Sequence, residues 1–194
     1  MMSAITLFRI NKASSRKRVI PSFLIGGTMA KSDITKEIET QLLEWLHEEK
    51  YEQAVTECTL GYSKQHGIVD ALSYTGKSVS RGRGKPRTRR VTWKCYEIKV
   101  SKSDFYSKSK WTFIGHYNYF VMPKGLYEQV KEDIPSHVGV LEYQGLKRIV
   151  WKVDRNDKKY YKTVPKFVSK KRATKQKLKM DEKDQMRMII SVQV

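Results

Sequence analysis

The apolar residues of the chain first recur at helical spacing and then at strand spacing. Between residues 33 and 49 they are separated by steps of three and four, at Ile34, Ile38, Leu42, Trp45 and Leu46. This spacing predicts an amphipathic helix over residues 33–49 that Ser32 or Asp33 can cap.

Shorter apolar runs follow this helix and are typical of strands. Val91, Trp93 and Cys95 alternate at the strand period, at the start of a run that continues to Phe105. The other predicted elements are strands over residues 53–60, 66–74, 117–122 and 138–143 (the last at a sheet edge), a helix from Ser101 or Ser103 to near Gly115, and a short helix over residues 126–132. Their order, α-β-β-β-α-β, predicts an α/β domain in which helices flank a mixed sheet.

Charged residues interrupt two of these strands. Asp70 lies within the apolar run of residues 66–74, and Glu97-Ile98-Lys99 is an E-x-K triplet inside the next run. A two-residue step along a strand places Glu97 and Lys99 on one face, about 6.5 to 7 Å apart. A hairpin between the two strands would bring Asp70 to Glu97.

Two carboxylates and a lysine that converge in an apolar setting suggest a functional site. Buried charges carry a desolvation cost that is seldom accepted without pairing, a metal or a function. The carboxylates can hold a hard divalent cation, and the lysine can position a water. The simpler alternative is that the E-x-K triplet is only a solvated face of a strand or helix.

The spacing of these residues resembles a known signature. Asp70, followed after 26 residues by Glu97-Ile98-Lys99, is similar to the D…(D/E)-x-K motif of the PD-(D/E)xK nuclease superfamily, with Val69 in place of the motif's proline. Further similarity, to MmcB-type DNA repair proteins and their phage-encoded relatives, spans about residues 33–145. It is carried by EIKVSKSDF from Glu97, KW at residues 110–111, HYNYFVMP at 116–123 and IPSHVGVLEY at 134–143.

The resemblance implies a restriction-endonuclease-like core and a metal-dependent nuclease that hydrolyses DNA in phage or bacterial DNA processing or repair. Asp70, Glu97 and the carbonyl oxygen of Ile98 would hold Mg²⁺, with Mn²⁺ as a substitute, and Lys99 would orient the attacking water. A glutamate of the first helix would complete the site; Glu39 is the first choice and Glu37 its rival. The alternative is a DNA-binding repair-accessory module of the same fold that has weak or no activity.

The distribution of charge favours a polyanionic partner. The formal net charge is +19, and most of it lies at the two ends of the chain. Residues 1–32 hold six basic and no acidic side chains, residues 33–146 hold 17 against 15, and residues 147–194 hold 16 against five. Basic ends on a nearly neutral domain favour a nucleic acid as the partner over a merely solubilising bias. An RNA-binding protein is a weaker alternative, since it would not need the buried acids.

A loop between the two charged strands is the strongest candidate for contact with the DNA backbone. Seven of the fifteen residues from Gly76 to Arg90 are Lys or Arg, interleaved with glycines. The side chains expected to contact phosphates are Arg81, Arg83, Arg87, Arg89 and Arg90, together with Lys110 in the second helix. The alternative is that this loop is only a solvated turn.

The two ends of the chain are expected to extend from the domain. We divide the chain into a basic N-terminal extension (residues 1–31), a nuclease-like domain (32–150) and a basic C-terminal tail (151–194). Met29 is the expected natural start, because the four codons before it can form a ribosome-binding site. In the tail, RIVWKV can add a strand, and the aromatics that alternate with lysines either stack on bases or pack on the domain.

The remaining residues with potential chemistry are expected to be structural. Cys58 and Cys95 lack metal-ligand spacing and are typical of reduced thiols in a cytoplasmic protein, or in host cytoplasm if a phage encodes it. His116 is expected to be a structural histidine whose hydrogen bonds are satisfied, and Asp104 is expected to stabilise the start of the second helix.

No apolar run is long enough for a membrane span. A homodimer or a protein partner is expected, since small nucleases of this fold often need one to cut both strands.

Overall fold

A computed structural model describes residues 31–60, 67–79, 88–107, 111–183 and 185 of the 194-residue chain. Its helices are α1 (Asp33–Glu48), α2 (Lys102–Phe105), α3 (Leu126–Val130) and a 3₁₀ helix (Lys131–Asp133). Its strands are β1 (Gln53–Leu60), β2 (Gly67–Val79), β3 (Thr88–Ile98), β4 (Tyr117–Pro123), β5 (Gly139–Val153) and β6 (Lys159–Lys171). None of the described helices is long and apolar enough to span a membrane.

The six strands form one mixed sheet in the order β1-β2-β3-β4-β5-β6. The first three strands are antiparallel to one another, β3, β4 and β5 are parallel, and β6 returns antiparallel to β5. The predicted α/β class with a mixed sheet is therefore confirmed. From α1 to β4 the elements follow the expected α-β-β-β-α-β order.

Helix α1 lies against the strands that carry the charged residues. It begins where the Ser32 side chain accepts a hydrogen bond of 3.3 Å from the N–H of Thr35, which is a typical N-cap. Its buried side chains are Ile38, Leu42, Trp45 and Leu46, as the spacing predicted, whereas Ile34 of the same predicted stripe is 42% exposed. They share a core cluster with Ala71 of β2 and Ile98 of β3. Each such side chain stabilises the fold by about 1.5 to 3 kcal/mol, which fixes α1 across the sheet.

The second helix is much shorter than predicted. It ends at Phe105 instead of near Gly115, and residues 111–116 form no helix. Trp111 and Phe113 pack against the cluster of Phe105, whereas Ile114 belongs to a different buried cluster. The backbone N–H of Thr112 binds a side chain, that of Glu97, rather than a helical carbonyl. Residues that alternate in this way cannot share one face of a helix.

The strand predicted at a sheet edge is an interior strand. Strand β5 pairs with both β4 and β6 and continues to Val153, so the predicted domain boundary at residue 150 falls inside it. Beyond β6, the backbone N–H groups of Thr174, Gln176 and Lys179 donate to carbonyls of residues 114–137, and Met180 is buried. Residues 164–180, assigned to the tail from sequence, are thus packed on the domain, whereas residues 159–163 are exposed.

The residues expected to be structural have that role where they are described. Cys58 and Cys95 are free, buried thiols, and burial raises the pKa of each to about 12. His116 Nδ1 accepts a hydrogen bond of 3.1 Å from the N–H of Trp93.

Candidate active site

A cleft of about 330 Å³ opens beside the C-terminal end of β3. Four segments line it: the start of α1, strand β2, the end of β3, and the turn into α2. The lining residues are Lys31, Thr35, Ile68, Asp70, Glu97, Ile98, Lys99, Val100 and Asp104. The structure therefore brings together Asp70, Glu97, Ile98 and Lys99, which the sequence motif had singled out.

Asp70 lies where the pairing of β2 with β3 ends. The last paired residues of these two strands are Ala71 and Tyr96. Asp70 and Glu97 are the next residues of β2 and β3 beyond this pair. Asp70 Oδ2 accepts a hydrogen bond of 2.8 Å from the N–H of Ile98, so the side chain continues the link between the strands. Burial raises the pKa of Asp70, and this hydrogen bond partly offsets the effect of burial.

Glu97 is the more deeply buried of the two carboxylates, with 6% of the residue exposed. Its Oε1 accepts a hydrogen bond of 3.1 Å from the N–H of Thr112. Burial, followed by the negative charge of Asp70, raises the pKa of Glu97 to about 7. Two carboxylates that repel each other in a buried cleft favour the arrival of a cation or a proton.

Lys99 lines the same cleft, although only 5% of the residue is exposed. Its Nζ lies 3.6 Å from Oδ1 of Asp104. The other oxygen of Asp104 accepts a hydrogen bond of 3.0 Å from the N–H of Val100, and its backbone N–H donates to the capping Ser101. Asp104 thus has the structural role predicted at the start of α2, and it also holds the lysine.

Sequence reasoning missed a second lysine in the cleft. Lys31 immediately precedes the Ser32 cap of α1 and belongs to the segment assigned to the N-terminal extension. Its Nζ forms ion pairs of 2.9 Å with both Glu39 and Glu57. Burial lowers the pKa of Lys31, but hydrogen bonds to the two glutamates outweigh burial and raise it. The signal in the sequence was weak, since a lysine beside a helix cap is usually solvated.

The two rival glutamates of α1 have different contacts. Glu39 binds Lys31, which lines the cleft. Glu37 accepts a hydrogen bond of 2.9 Å from the hydroxyl of Tyr143. Of the two, Glu39 is therefore linked to the cleft, through Lys31, and its participation in catalysis stays a prediction.

The donor set of the cleft fits a hard cation with oxygen ligands. Within the described ranges, no group of three His, Cys, Asp or Glu side chains is arranged to hold a metal ion. The cleft does offer the carboxylates of Asp70 and Glu97, and Ile98 lines it between them. Carboxylate and backbone carbonyl oxygens are ligands that Mg²⁺ accepts while it keeps several waters. The mutual repulsion of the carboxylates is the observation that fits such an ion.

Most of the residues expected to bind DNA lie outside the described part of the chain. This is so for Arg81, Arg83, Arg87 and Lys110, and for the side chain of Arg89. Arg90 is exposed near the start of β3, where it pairs with Lys77 of β2. It is seven residues from Glu97, about 23 Å along the strand. DNA that contacted both Arg90 and the cleft would have to follow the length of β3.

Comparison of the chain with protein-family models, with curated proteins and with solved structures found no match.

Proposed function

We propose that this protein is a metal-dependent nuclease that hydrolyses DNA phosphodiester bonds, with a restriction-endonuclease-like core of the PD-(D/E)xK type. The observation that carries the proposal is that Asp70 and Glu97, from neighbouring strands, line one cleft together with Lys99. The Asp70 to Ile98 hydrogen bond fixes this arrangement at the end of β3. A role in phage or bacterial DNA processing or repair follows from the resemblance described above.

The two carboxylates supply the metal-binding part of the proposed mechanism. Asp70, Glu97 and the carbonyl oxygen of Ile98 would hold Mg²⁺, or Mn²⁺ in its place. When bound, the ion supplies positive charge to the phosphate and lowers the pKa of a coordinated water. Both carboxylates must be ionised to bind it, and the pKa of about 7 for Glu97 makes that ionisation sensitive to pH near neutrality.

Lys99 supplies the fixed positive charge. Lys99 lines the cleft, and its positive charge acts on both carboxylates. The ammonium would orient the water and stabilise the negative charge that develops on the phosphate. Asp104 restrains the lysine through the ion pair of 3.6 Å, and is itself anchored to the N–H of Val100. Asp104 is therefore a positioning residue, and Lys31, which also lines the cleft, would add a second cationic side chain.

The charge of the whole protein supports a nucleic acid as substrate. A net charge of +19 attracts polyanions, and phosphodiester oxygens are what a hard cation and two lysines would contact. DNA is proposed over RNA because the resemblance is to DNA repair proteins.

A DNA-binding accessory module of the same fold is the second candidate. The observation that favours it is the ion pair between Lys99 and Asp104, which engages the ammonium that the reaction would use. In this case the cleft would hold charged groups without turnover, and binding would be salt-dependent but unaffected by chelator.

Purified full-length protein, incubated with plasmid and with labelled single strands, distinguishes the two candidates. The nuclease should cleave DNA in Mg²⁺ or Mn²⁺ and stop in chelator. Tight, salt-dependent binding without cleavage of either substrate would favour the accessory module.

A further inference from the structure

Strands β5 and β6 continue past the rest of the sheet as a two-stranded hairpin. Strand β4 pairs with β5 only from Gly139 to Tyr143, whereas β5 and β6 remain paired as far as Val153 and Lys159. We call residues 146–163 the β5–β6 arm. Its turn is organised by Asp154, whose Oδ1 accepts hydrogen bonds of 2.8 and 2.9 Å from the N–H groups of Asn156 and Lys158.

The arm exposes an unusual concentration of apolar side chains. Six of the ten exposed large hydrophobic residues in the described part of the chain belong to it: Leu146, Val150, Trp151, Val153, Tyr160 and Tyr161. Trp151 is 58% exposed and Tyr161 49%. Concentrated apolar exposure of this kind usually marks a binding surface.

Cations are interleaved with these rings. The arm carries seven Lys or Arg residues and two Asp, a net charge of +5. The Arg148 guanidinium lies 4.2 Å from the centre of the Tyr161 ring, and Lys152 and Lys158 lie 5.7 and 5.5 Å from that of Tyr160. Rings and positive charges therefore lie next to each other on the arm.

This combination identifies the chemistry of the partner. Lysines are depleted at protein interfaces, and two copies of an arm with net charge +5 would repel each other. A nucleic acid strand offers phosphates for the cations and flat bases for the rings. In a duplex the base faces are already stacked, so exposed rings are useful only where the bases are unpaired.

We infer that the β5–β6 arm is a binding site for unpaired DNA, separate from the cleft. The inference rests on the proposed function only in taking DNA as the nucleic acid.

The arm and the cleft lie at opposite ends of α1. Lys162 and Lys147 of the arm form ion pairs with Glu48 and Glu49 at the C-terminal end of the helix, whereas Thr35 in its first turn lines the cleft. Thr35 and Glu48 are thirteen residues apart, about 20 Å along the helix axis. One strand could therefore occupy both sites only if it is several nucleotides long, which would direct the protein to substrates with a single-stranded segment.

The test measures binding of oligothymidylate and of a duplex to the full-length protein in chelator, so that no cleavage occurs. The variant Trp151→Ala/Tyr161→Ala should bind oligothymidylate at least about 30-fold more weakly, because each of the two rings contributes about 5-fold or more by stacking on a base. The slope of log affinity against log salt should be unchanged, since no phosphate contact is lost. Duplex binding should not change.

A matched control and a charge variant complete the experiment. Tyr51→Asn removes a ring that is 86% exposed outside the arm, and asparagine suits its φ of 53°; it should bind as wild type. Lys152→Ala/Lys158→Ala should flatten the salt slope. Unchanged oligothymidylate binding by the ring variant would overturn the inference, as would an equal loss on duplex, or a wild-type dimer that the ring variant abolishes.

The result is independent of catalysis. A protein that binds single strands through the arm but never cleaves DNA would retain this site and refute the proposed nuclease. If wild type cleaves DNA and the ring variant binds oligothymidylate as wild type does, the proposed nuclease is supported and the arm site is refuted.

Discussion

The carboxylate of Asp70 accepts a hydrogen bond of 2.8 Å from the backbone N–H of Ile98, so a cleft residue of β2 is tied directly to the end of β3. This contact both positions the carboxylate and lowers the cost of burying it.

Asp70→Asn should abolish Mg²⁺ binding and cleavage while leaving the protein folded. The amide oxygen can still accept from Ile98, and removal of one buried like charge relieves the repulsion on Glu97. Calorimetric titration with Mg²⁺ and thermal unfolding in chelator would measure the two effects. An Asp70→Asn protein that binds Mg²⁺ as wild type would show that the ion, if any, is held elsewhere.

The contribution of Glu97 to the stability of the protein should fall as the pH rises from about 4.5 to about 7. The folded state keeps the Glu97 proton up to a pKa of about 7, and the unfolded chain releases it near its ordinary value of 4.5. The folded state therefore binds more protons in this window, and the loss is on the order of 3 kcal/mol. Burial raises the pKa of Asp70 too, which adds to the same trend.

Glu97→Gln isolates this contribution. Glutamine can still accept the hydrogen bond from Thr112, but it has no proton to release. Across this pH range, urea unfolding in chelator should show that the free energy of unfolding of the variant rises relative to that of wild type. The variant should then be the more stable protein at pH 8. Parallel curves for the two proteins would mean that Glu97 ionises normally.

Asp104→Asn should slow cleavage about tenfold, the scale for losing a residue that orients a catalytic group. The amide can keep the hydrogen bond to Val100, while the ion pair with Lys99 is lost. Since the charge of Asp104 also raises the pKa of Glu97, activity should begin at a lower pH. Asp133→Asn, on the exposed 3₁₀ helix, is the control. If Asp104→Asn had the same rate and pH profile as Asp133→Asn, Asp104 would have no role in the site.

A partly buried ion pair between β3 and the loop after α1 should be critical for stability. Lys94 of β3 pairs with Glu52, which is 4% exposed and also accepts a hydrogen bond from Ser73. Lys94→Met leaves the glutamate buried without this partner and should cost about 3 kcal/mol. Lys36→Met breaks only an exposed pair with Asp33 and should change stability by less than about 1 kcal/mol. Similar unfolding midpoints in urea for the two variants would contradict this ranking.

The sequence predicted the meeting of Asp70 and Glu97 because the information is local. Two apolar runs joined by a turn-rich loop predict a pair of strands, and the strand period then fixes which residues share a face. The same reasoning predicted α1 and its buried stripe.

The misses have a common physical cause, since each depends on contacts between residues far apart in the chain. The many lysines of β6 are typical of a solvated tail, although Val164 and Phe167 pack on the domain. Helix α2 stops early because Trp111 and Phe113 pack against a cluster that extends to Val138 and Val140. Lys31 enters the cleft through partners at residues 39 and 57, which no local pattern connects.

The most direct test of the proposed nuclease compares Lys99→Ala with Lys102→Ala in a DNA cleavage assay with Mg²⁺ and with chelator. Lys102 is an exposed lysine in α2, three residues from Lys99, and does not line the cleft. We expect Lys99→Ala to cleave about 10² to 10³ times more slowly than wild type with nearly unchanged Mg²⁺ affinity, and Lys102→Ala to cleave normally. Cleavage by Lys99→Ala at the full rate, or cleavage by wild type that persists in chelator, would contradict a metal-dependent site at Asp70, Glu97 and Lys99.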